Sequence, residues 1–442
     1  MIKVTEGVFY HKDIQAILFT EGSSGMLEEK DLEPVVIGKT WKIAPWGADN
    51  ILPQAVLDKI GKSEIMGSNI KYSVDVCYGL GPKLVRKVRD NSGRVVDLVE
   101  VDDGEAYEFL ERNDAGLFMH ELLTEVNTFH NGFVEMIPDA EQKKILRFRS
   151  LEATWSRFGV IEKGEFLWHY YSTKWDSSPT RKQVVRTRLI DEFDAENDIK
   201  TLLALKPQRM VYPVYMPSPG RIYYSRPQWY SLFESGWYDM SVSIPELKKA
   251  ILKNKLGVKF IIYVSKNYYD AIFEQEGIDP TDREKCKERI DQEVEAFNNF
   301  LSGEDNAAKA MTVFKEHFPT GNGYKEEKMI EIEPIKNDFD GGEYLTDTEN
   351  AANIISYAMG IHPSLIGAVP GKNSGSQSGT DKRELFIMKQ ALMKPMKDRC
   401  LRPLRLMMRV NGYDKDLDVV LPEFLFTTLD QAKSGKEAVI AK

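Results

Sequence analysis

The stretch Tyr357-Ala358-Met359-Gly360-Ile361-His362-Pro363-Ser364-Leu365-Ile366-Gly367, with its flanks, decides how this chain is read. Upstream, Thr346-Asp347-Thr348-Glu349 spells a capping box, in which Thr and Glu three apart satisfy free backbone N–H groups at a helix start. Ala351, Ile354, Ile355 and Ala358 then recur at helical spacing. Gly360 and Pro363 stop that helix, because glycine accepts a left-handed cap and proline cannot continue a helix. Ser364 to Gly379 follows, with four Gly and four Ser in sixteen residues and Lys372 as its only charge. A second helix is predicted from about Asp381 to Arg409, striped by Leu385, Met388, Leu392, Met396, Cys400, Leu404 and Met407. At about 1.5 Å per residue it spans ~40 Å. Pro395 and Pro403 should bend it, since each removes an i to i−4 hydrogen bond.

The plain reading of the loop is a linker between two helices. A nucleotide cradle fails on spacing: Gly367 and Gly371-Lys372 stand one residue closer than a P-loop requires, and Asn373 replaces the Ser or Thr that reaches Mg²⁺. A helix leads into it, where a P-loop needs a strand. The whole arrangement resembles the tunnel-loop region of tailed-phage portal proteins, where a helix ends in a Pro/Gly phrase and a Ser/Gly-rich loop leads to a long helix. Phe386, Leu392 and Pro395 supply the second helix of that pattern, and His362 stands where the family has Pro or a small residue.

Other portal-like phrases occur in the family's order. Trp46-Gly47-Ala48-Asp49-Asn50-Ile51-Leu52-Pro53 launches a helix predicted to run to Tyr78, with Pro53 in its first turn and Gly79 and Gly81 closing it. Leu84 to Val101 alternates around a turn at Asp90-Asn91-Ser92-Gly93. Helices are predicted at Glu105 to Arg112 and Leu117 to Phe129, the latter with Leu122, Leu123, Val126 and Phe129 inward. Gly132-Phe133-Val134-Glu135-Met136-Ile137 and Ile145 to Leu151 match a second portal phrase. Residues 151 to 222 read as strands, clearest at Phe166 to Tyr171 and Arg209 to Tyr212. Tyr223-Tyr224-Ser225-Arg226-Pro227 resembles the phrase that opens the first stem helix, predicted here to reach Asn254 with a kink at Pro245. Residues 258 to 340 form an insertion: a strand at Val258 to Val264, a helix from Asp279-Pro280 striped by Ile290, Val294, Phe297 and Leu301, and strands at Thr312 to Phe314 and Ile330 to Glu333.

Composition sets the bounds. The chain has 442 residues, 42% hydrophobic and 29% charged, ordinary for a globular protein of several domains. Its net charge of −9 does not advertise nucleic-acid binding, so any DNA contact must be local. Cys77, Cys286 and Cys400 are too few and too scattered for a disulfide framework or a zinc cluster. The apolar run Phe260 to Val264 is far short of a membrane span, and Met1 to Glu6 lacks a signal-peptide core. No histidine pair has ligand spacing, and no nucleophile motif is present, so neither an enzyme nor a cofactor is expected. The runner-up is a metal-dependent nucleic-acid enzyme built on acids near Asp139 and Asp194. Against it, Pro138-Asp139-Ala140-Glu141-Gln142-Lys143 reads as a polar hairpin turn and Asp191 to Asp198 as a solvated loop. A third reading is a minor capsid or baseplate adaptor.

The resemblance implies an α+β portal fold: wing 1–222, first stem helix 223–257, clip 258–340, second stem helix 341–363, tunnel loop 364–380, and a long helix with a short C-terminal segment at 381–442. It implies a ring, usually of twelve subunits, at one capsid vertex of the virion, assembled in the host cytoplasm. Double-stranded DNA would pass through the ring. The terminase large subunit, head–tail adaptor proteins and the major capsid protein would be its partners, with no membrane. Lys372, Asn373, Ser374, Ser376, Gln377, Ser378, Lys382 and Arg383 would then face DNA, and Lys248, Lys249 and Lys253 would form a basic stem end. Asp270 to Asp305 carries 12 acids and 4 bases, a net −8, which makes Asp279, Asp282, Glu284 and Glu288 the expected partner-binding acids of the clip. Asp381 to Arg409 carries nine Lys or Arg and three acids, which also reads as a solvated face.

Overall fold

The computed structural model describes residues 2–5, 8–11, 16–19, 33–162, 164–255, 260–302, 316–320, 323–327, 330–334, 343–366 and 379–424. The chain is α+β and divides into two compact units: Met1–Pro245 with Gly342–Lys442, and Glu246–Gly341.

The first unit begins with β1 (Ile2–Thr5), β2 (Val8–His11) and β3 (Ala16–Phe19), an antiparallel sheet, and the hairpin of β4 (Val35–Ile37) and β5 (Trp41–Ile43). Helices α1 (Leu52–Gly61) and α2 (Glu64–Tyr78) follow, then β6 (Lys83–Arg89), β7 (Val95–Glu100), α3 (Gly104–Arg112) and α4 (Ala115–Phe129). Next come β8 (Asn131–Pro138), β9 (Ile145–Leu151), β10 (Ser156–Phe158), β11 (Trp168–Tyr171), β12 (Val185–Leu189), α5 (Ala195–Ala204) and β13 (Met210–Tyr215). These six strands form one sheet in the order β10-β11-β12-β13-β8-β9, parallel only between β12 and β13. A 3₁₀ turn at Gln228–Phe233 precedes α6 (Trp237–Lys255).

The second unit contains β14 (Phe260–Val264), α7 (Lys266–Glu276), α8 (Arg283–Ser302), β15 (Glu316–Thr320), β16 (Gly323–Glu327) and β17 (Ile330–Pro334). β14 pairs antiparallel with β17, and β15 with β16. The chain then returns to the first unit through α9 (Glu343–Ala358), α10 (Gly379–Leu392), α11 (Lys394–Val410) and β18 (Leu417–Val420).

The core of the first unit lies between the six-stranded sheet and α4. Leu122, Leu123 and Val126 are fully buried, and so are Val134 and Met136 on the β8 face that Gly132 turns toward α4. Gly132 permits this approach: a Cβ there would press on Leu122 and Val126, at 2.8 and 3.0 Å. Buried Glu135 is held by Arg149 (2.6 Å) and Arg209 (3.2 Å). The C-terminal segment completes this core. Cys400, Leu404 and Met407 of α11 have no exposed surface, and β18 pairs antiparallel with β6 beside β7. Burial of this kind contributes roughly 1.5–3 kcal/mol per large apolar side chain.

Several expectations need correction. The helix after Pro53 is two helices, because Ser63 turns out of α1 and accepts the Met66 N–H with its side chain, a new N-cap. The Asp191–Asp198 loop closes sooner than expected, and α5 begins at Ala195, with Glu196 and Asp198 near the positive end of its dipole. The first stem helix starts at Trp237, after Gly236 at φ +79°, although Pro245 does lie inside it. α9 starts at Glu343, so Thr346 lies inside the helix and does not cap it. In the second unit α7 was not anticipated, and α8 begins at Arg283, past Asp279-Pro280. The expected strand at Thr312 to Phe314 falls outside the described residues. The predicted long helix breaks at Met393 into α10 and α11, placing Pro395 in the first turn of α11, where a missing N–H costs little. Pro403 remains within α11.

Candidate channel and docking segments

Lys372, Asn373, Ser374, Ser376, Gln377 and Ser378 lie outside the described residues, so the loop is characterised by its two ends. At the first end α9 closes in a Schellman turn. Gly360, at φ +66°, donates its N–H to Tyr357 O, and Ile361 donates to Ser356 O, both at 2.9 Å. A 3₁₀ turn at Pro363–Leu365 follows, with His362 Nδ1 at 2.6 Å from Ser364 Oγ. That turn packs on α10. Lys389, in the last turn of α10, donates its Nζ to Gly360 O at 3.1 Å. Burial pulls the Lys389 amine below the usual lysine range, while the negative end of the α9 dipole favours its charge. The helices on either side of the loop are therefore tied together just outside it. At the start of α10, Lys382 is exposed and Arg383 half-buried.

The apolar stripe of α10 is rotated from the one expected. Met388 and Leu392 are 60% and 72% exposed, whereas Lys389, Gln390 and Met393 are buried and Phe386 packs on the core. Positions 386, 389, 390 and 393 form a helical face one residue, about 100°, away from 385, 388 and 392. The two polar members fooled the periodicity, since a buried lysine and glutamine read as solvated. Tyr357 on α9 is also exposed, at 84%.

Lys248 is half-buried and Lys249 exposed on α6, and Lys253 belongs to the same helix. Of the four acids chosen on the second unit, two serve its local structure. Asp279 Oδ1 accepts from the Thr281 N–H (2.9 Å) and hydroxyl (2.7 Å), and Asp282 Oδ1 accepts from the Lys285 N–H (3.3 Å). These hydrogen bonds, the backbone one first in each case, hold both carboxyls below the usual aspartate range. Glu284 and Glu288 are exposed, and with Asp291 and Glu295 they line a shallow hollow of about 450 Å³ along α8. Glu276 and Glu293 are engaged by Arg289 (2.9 and 2.7 Å), which ties α7 to α8.

The acids of the nuclease alternative are also occupied. Asp139 Oδ1 closes the β8–β9 turn by accepting from Lys143 N (2.8 Å) and Lys144 N (3.3 Å). Asp194 accepts from Asn197 Nδ2 at 2.9 Å. Among the described residues no group of three or more His, Cys, Asp or Glu is placed to hold a metal ion, and no helix is long and apolar enough to cross a membrane.

Comparison with protein-family models and with curated protein sequences finds no match. Solved structures do match. A chain from the virion of a native gene transfer agent particle aligns with TM-score 0.54 and 13% identity over 83% of both chains. A chain from the neck of the empty particle, computed with C6 symmetry, aligns with TM-score 0.54 and 14% identity over 83% of both. One from the neck of the native particle, computed with C12 symmetry, aligns with TM-score 0.50 and 15% identity over 86% of both. The chain shares its fold with these chains of gene transfer agent particles. The resemblance read from the portal phrases is matched at the level of the fold.

Within this neck-type fold, the phrase from Trp46 to Pro53 is organised by a residue the sequence did not single out. Arg157 on β10 has no exposed surface. Its Nε donates to Asn50 Oδ1 (2.7 Å), one Nη to Asn50 O (2.6 Å), and the other to Thr154 O (3.0 Å) and Ser156 O (2.7 Å). Asn50, at φ +58°, also accepts the Trp46 N–H. The Trp46 ring stacks on Tyr224 at 4.2 Å, and the Tyr224 hydroxyl donates to Ala44 O and accepts from Phe158 N. The first and third portal-like phrases thus meet at one buried guanidinium.

Proposed function

We propose that the chain is the portal subunit of a tailed phage or phage-like particle. About twelve copies would close into a ring at one capsid vertex, seated in the major capsid protein, with double-stranded DNA passing through the centre. The observation that carries this reading is the fold match to gene transfer agent neck chains over 83% of both partners. The C6 and C12 symmetry of two of those necks supports a ring, as do Tyr357, Met388 and Leu392, exposed apolar side chains on α9 and α10.

In this reading the first unit holds the wing and the tunnel-loop support, residues 223–257 hold the first stem helix, and residues 258–340, within the second unit, are the clip, which docks the terminase large subunit and later the head–tail adaptors. Its acidic α8 face favours basic partners in a salt-sensitive way. In this reading the protein itself does no chemistry: ATP hydrolysis belongs to the terminase, and the purified chain should show no ATPase above background. The ring assembles in the host cytoplasm and leaves in the virion. Replacing Ser265 to Lys328 by a short linker tests the docking role. Terminase binding should disappear while the first unit keeps its fold, and unchanged terminase affinity would refute the assignment.

A further inference from the structure

On β11 and β12 of the six-stranded sheet, and on the β4–β5 hairpin and the turn before β12, arginine and tryptophan alternate in space. The Arg181 guanidinium lies 4.4 Å from the Trp41 ring centre, and that of Arg186 lies 5.6 Å from Trp41 and 3.4 Å from Trp168. Arg188 lies 5.3 Å from Trp168 on the other side. Register sets this order: Trp168 stands opposite Arg188, and Tyr170 opposite Arg186, across β11 and β12.

Stacking on indole fixes a guanidinium without using its charge or its outer N–H groups. Among the described residues none of the three arginines has a carboxylate within ion-pair distance; Nε of Arg186 and of Arg188 is buried and has no hydrogen-bond partner. Arg188 acts electrostatically on Asp198, whose carboxylate accepts the Asp191 N–H at 2.8 Å. Glu162 acts on Tyr170 from the adjoining turn. Thr180 to Ile190 holds Arg181, Lys182, Arg186 and Arg188 and no acid, in a chain of net charge −9. Lys39 and Lys42 are exposed on the β4–β5 hairpin.

We infer that this ladder, on the wing, binds the sugar–phosphate backbone of nucleic acid. Arg186 and Arg188 are two strand positions apart, roughly 6.6 Å. An even row of forked donors suits evenly spaced phosphates better than the irregular carboxylates of a protein. Its contact is sequence-independent, because phosphates carry no base identity. The inference does not depend on ring closure.

The test is fluorescence anisotropy of the purified full chain with a labelled duplex of about 20 base pairs, followed across salt concentration. Three phosphate contacts contribute a slope of about −2.7 in log K against log salt. Replacing Arg181, Arg186 and Arg188 together by Gln should remove about that much slope and weaken low-salt binding about tenfold or more. Arg181→Gln alone, at an exposed position, should remove about one contact's share, about 0.9, without disturbing the sheet. The triple Lys variant keeps the charge and should keep most of the slope. Lys382→Gln with Arg383→Gln should leave this binding unchanged, which separates it from the tunnel-loop reading. Wild-type slope in the Gln variants overturns the inference. So does a wild-type chain that binds poly-aspartate but no duplex, which would assign the surface to an acidic protein.

Discussion

Arg157 heads the fully buried side chains in size, and it is charged. Its cost of desolvation is offset by four carbonyl-type acceptors and by Trp46 and Trp175, whose rings lie 5.6 and 5.2 Å away. Removing it strands those acceptors in a dry site. Arg157→Met should lower unfolding free energy by ~3 kcal/mol or more, measured as a shift in urea midpoint with the slope unchanged. The sequence could not announce this residue, because an arginine in a short strand reads as solvated. His169 makes a second prediction. It has no exposed surface, rests on Phe133 at 4.9 Å, and neither ring nitrogen has a partner among the described residues. Burial pushes its pKa down to about 3. The unfolded chain therefore binds a proton that the folded one refuses, between the ordinary histidine value and about 3. Stability is complete above about pH 6.5 and falls toward acid by up to about 1.4 kcal/mol per pH unit from this group. His169→Phe should abolish that share of the acid sensitivity, read from denaturant melts at pH 5 and pH 7. An unchanged pH dependence would contradict the assignment.

Turns were legible where glycine had a mechanical reason. Gly79, at φ +54°, ends α2, and a Cβ there would collide with Pro422 O, which accepts the Leu80 N–H at 3.2 Å. Gly79→Ala should therefore destabilise by more than ~1 kcal/mol, beyond the usual glycine effect, because strain and collision add. Thermal melts beside Gly67→Ala, a helical position with open space, would check this. Helix existence was also legible: α3, α4 and the Gly360 stop lie where the periodicity put them. Helix register was not. α10 turns Lys389 and Gln390 inward because Lys389 finds the carbonyl end of α9, a long-range partner invisible in a local pattern. The loop between these helices gives an element-level prediction. With its ends tied by Lys389, deleting Asn373 to Ser378 should leave ring assembly intact and impair DNA packaging or retention. Glycine and short uncharged side chains suit a surface past which DNA slides, and Lys372 adds one screened charge per copy. Normal packaging and stable, DNA-filled heads in that deletion would refute the role of the loop.

At the scale of the molecule, four short phrases and an insertion carried the fold, and their order mattered more than any one spelling. The structure explains two of them, since Trp46 and Tyr224 stack beside Arg157. It also explains the C-terminal segment, which looked like a solvated basic helix yet closes the first unit's core through Cys400, Leu404 and Met407. Assembly is the property least legible in a single chain, because the groups that would carry it stay exposed among the described residues. Tyr357, Met388 and Leu392 keep 84%, 60% and 72% of their surface. In a closed ring such side chains become interface, and replacing Met388 and Leu392 by Ser should favour smaller species without unfolding the subunit. The most direct measurement is native mass spectrometry of the purified chain, paired with electron microscopy of the same sample. The portal reading predicts closed rings with an axial channel, near 600 kDa for about twelve copies of a 50.5 kDa chain. Monomers or dimers alone, across several assembly conditions, would contradict it.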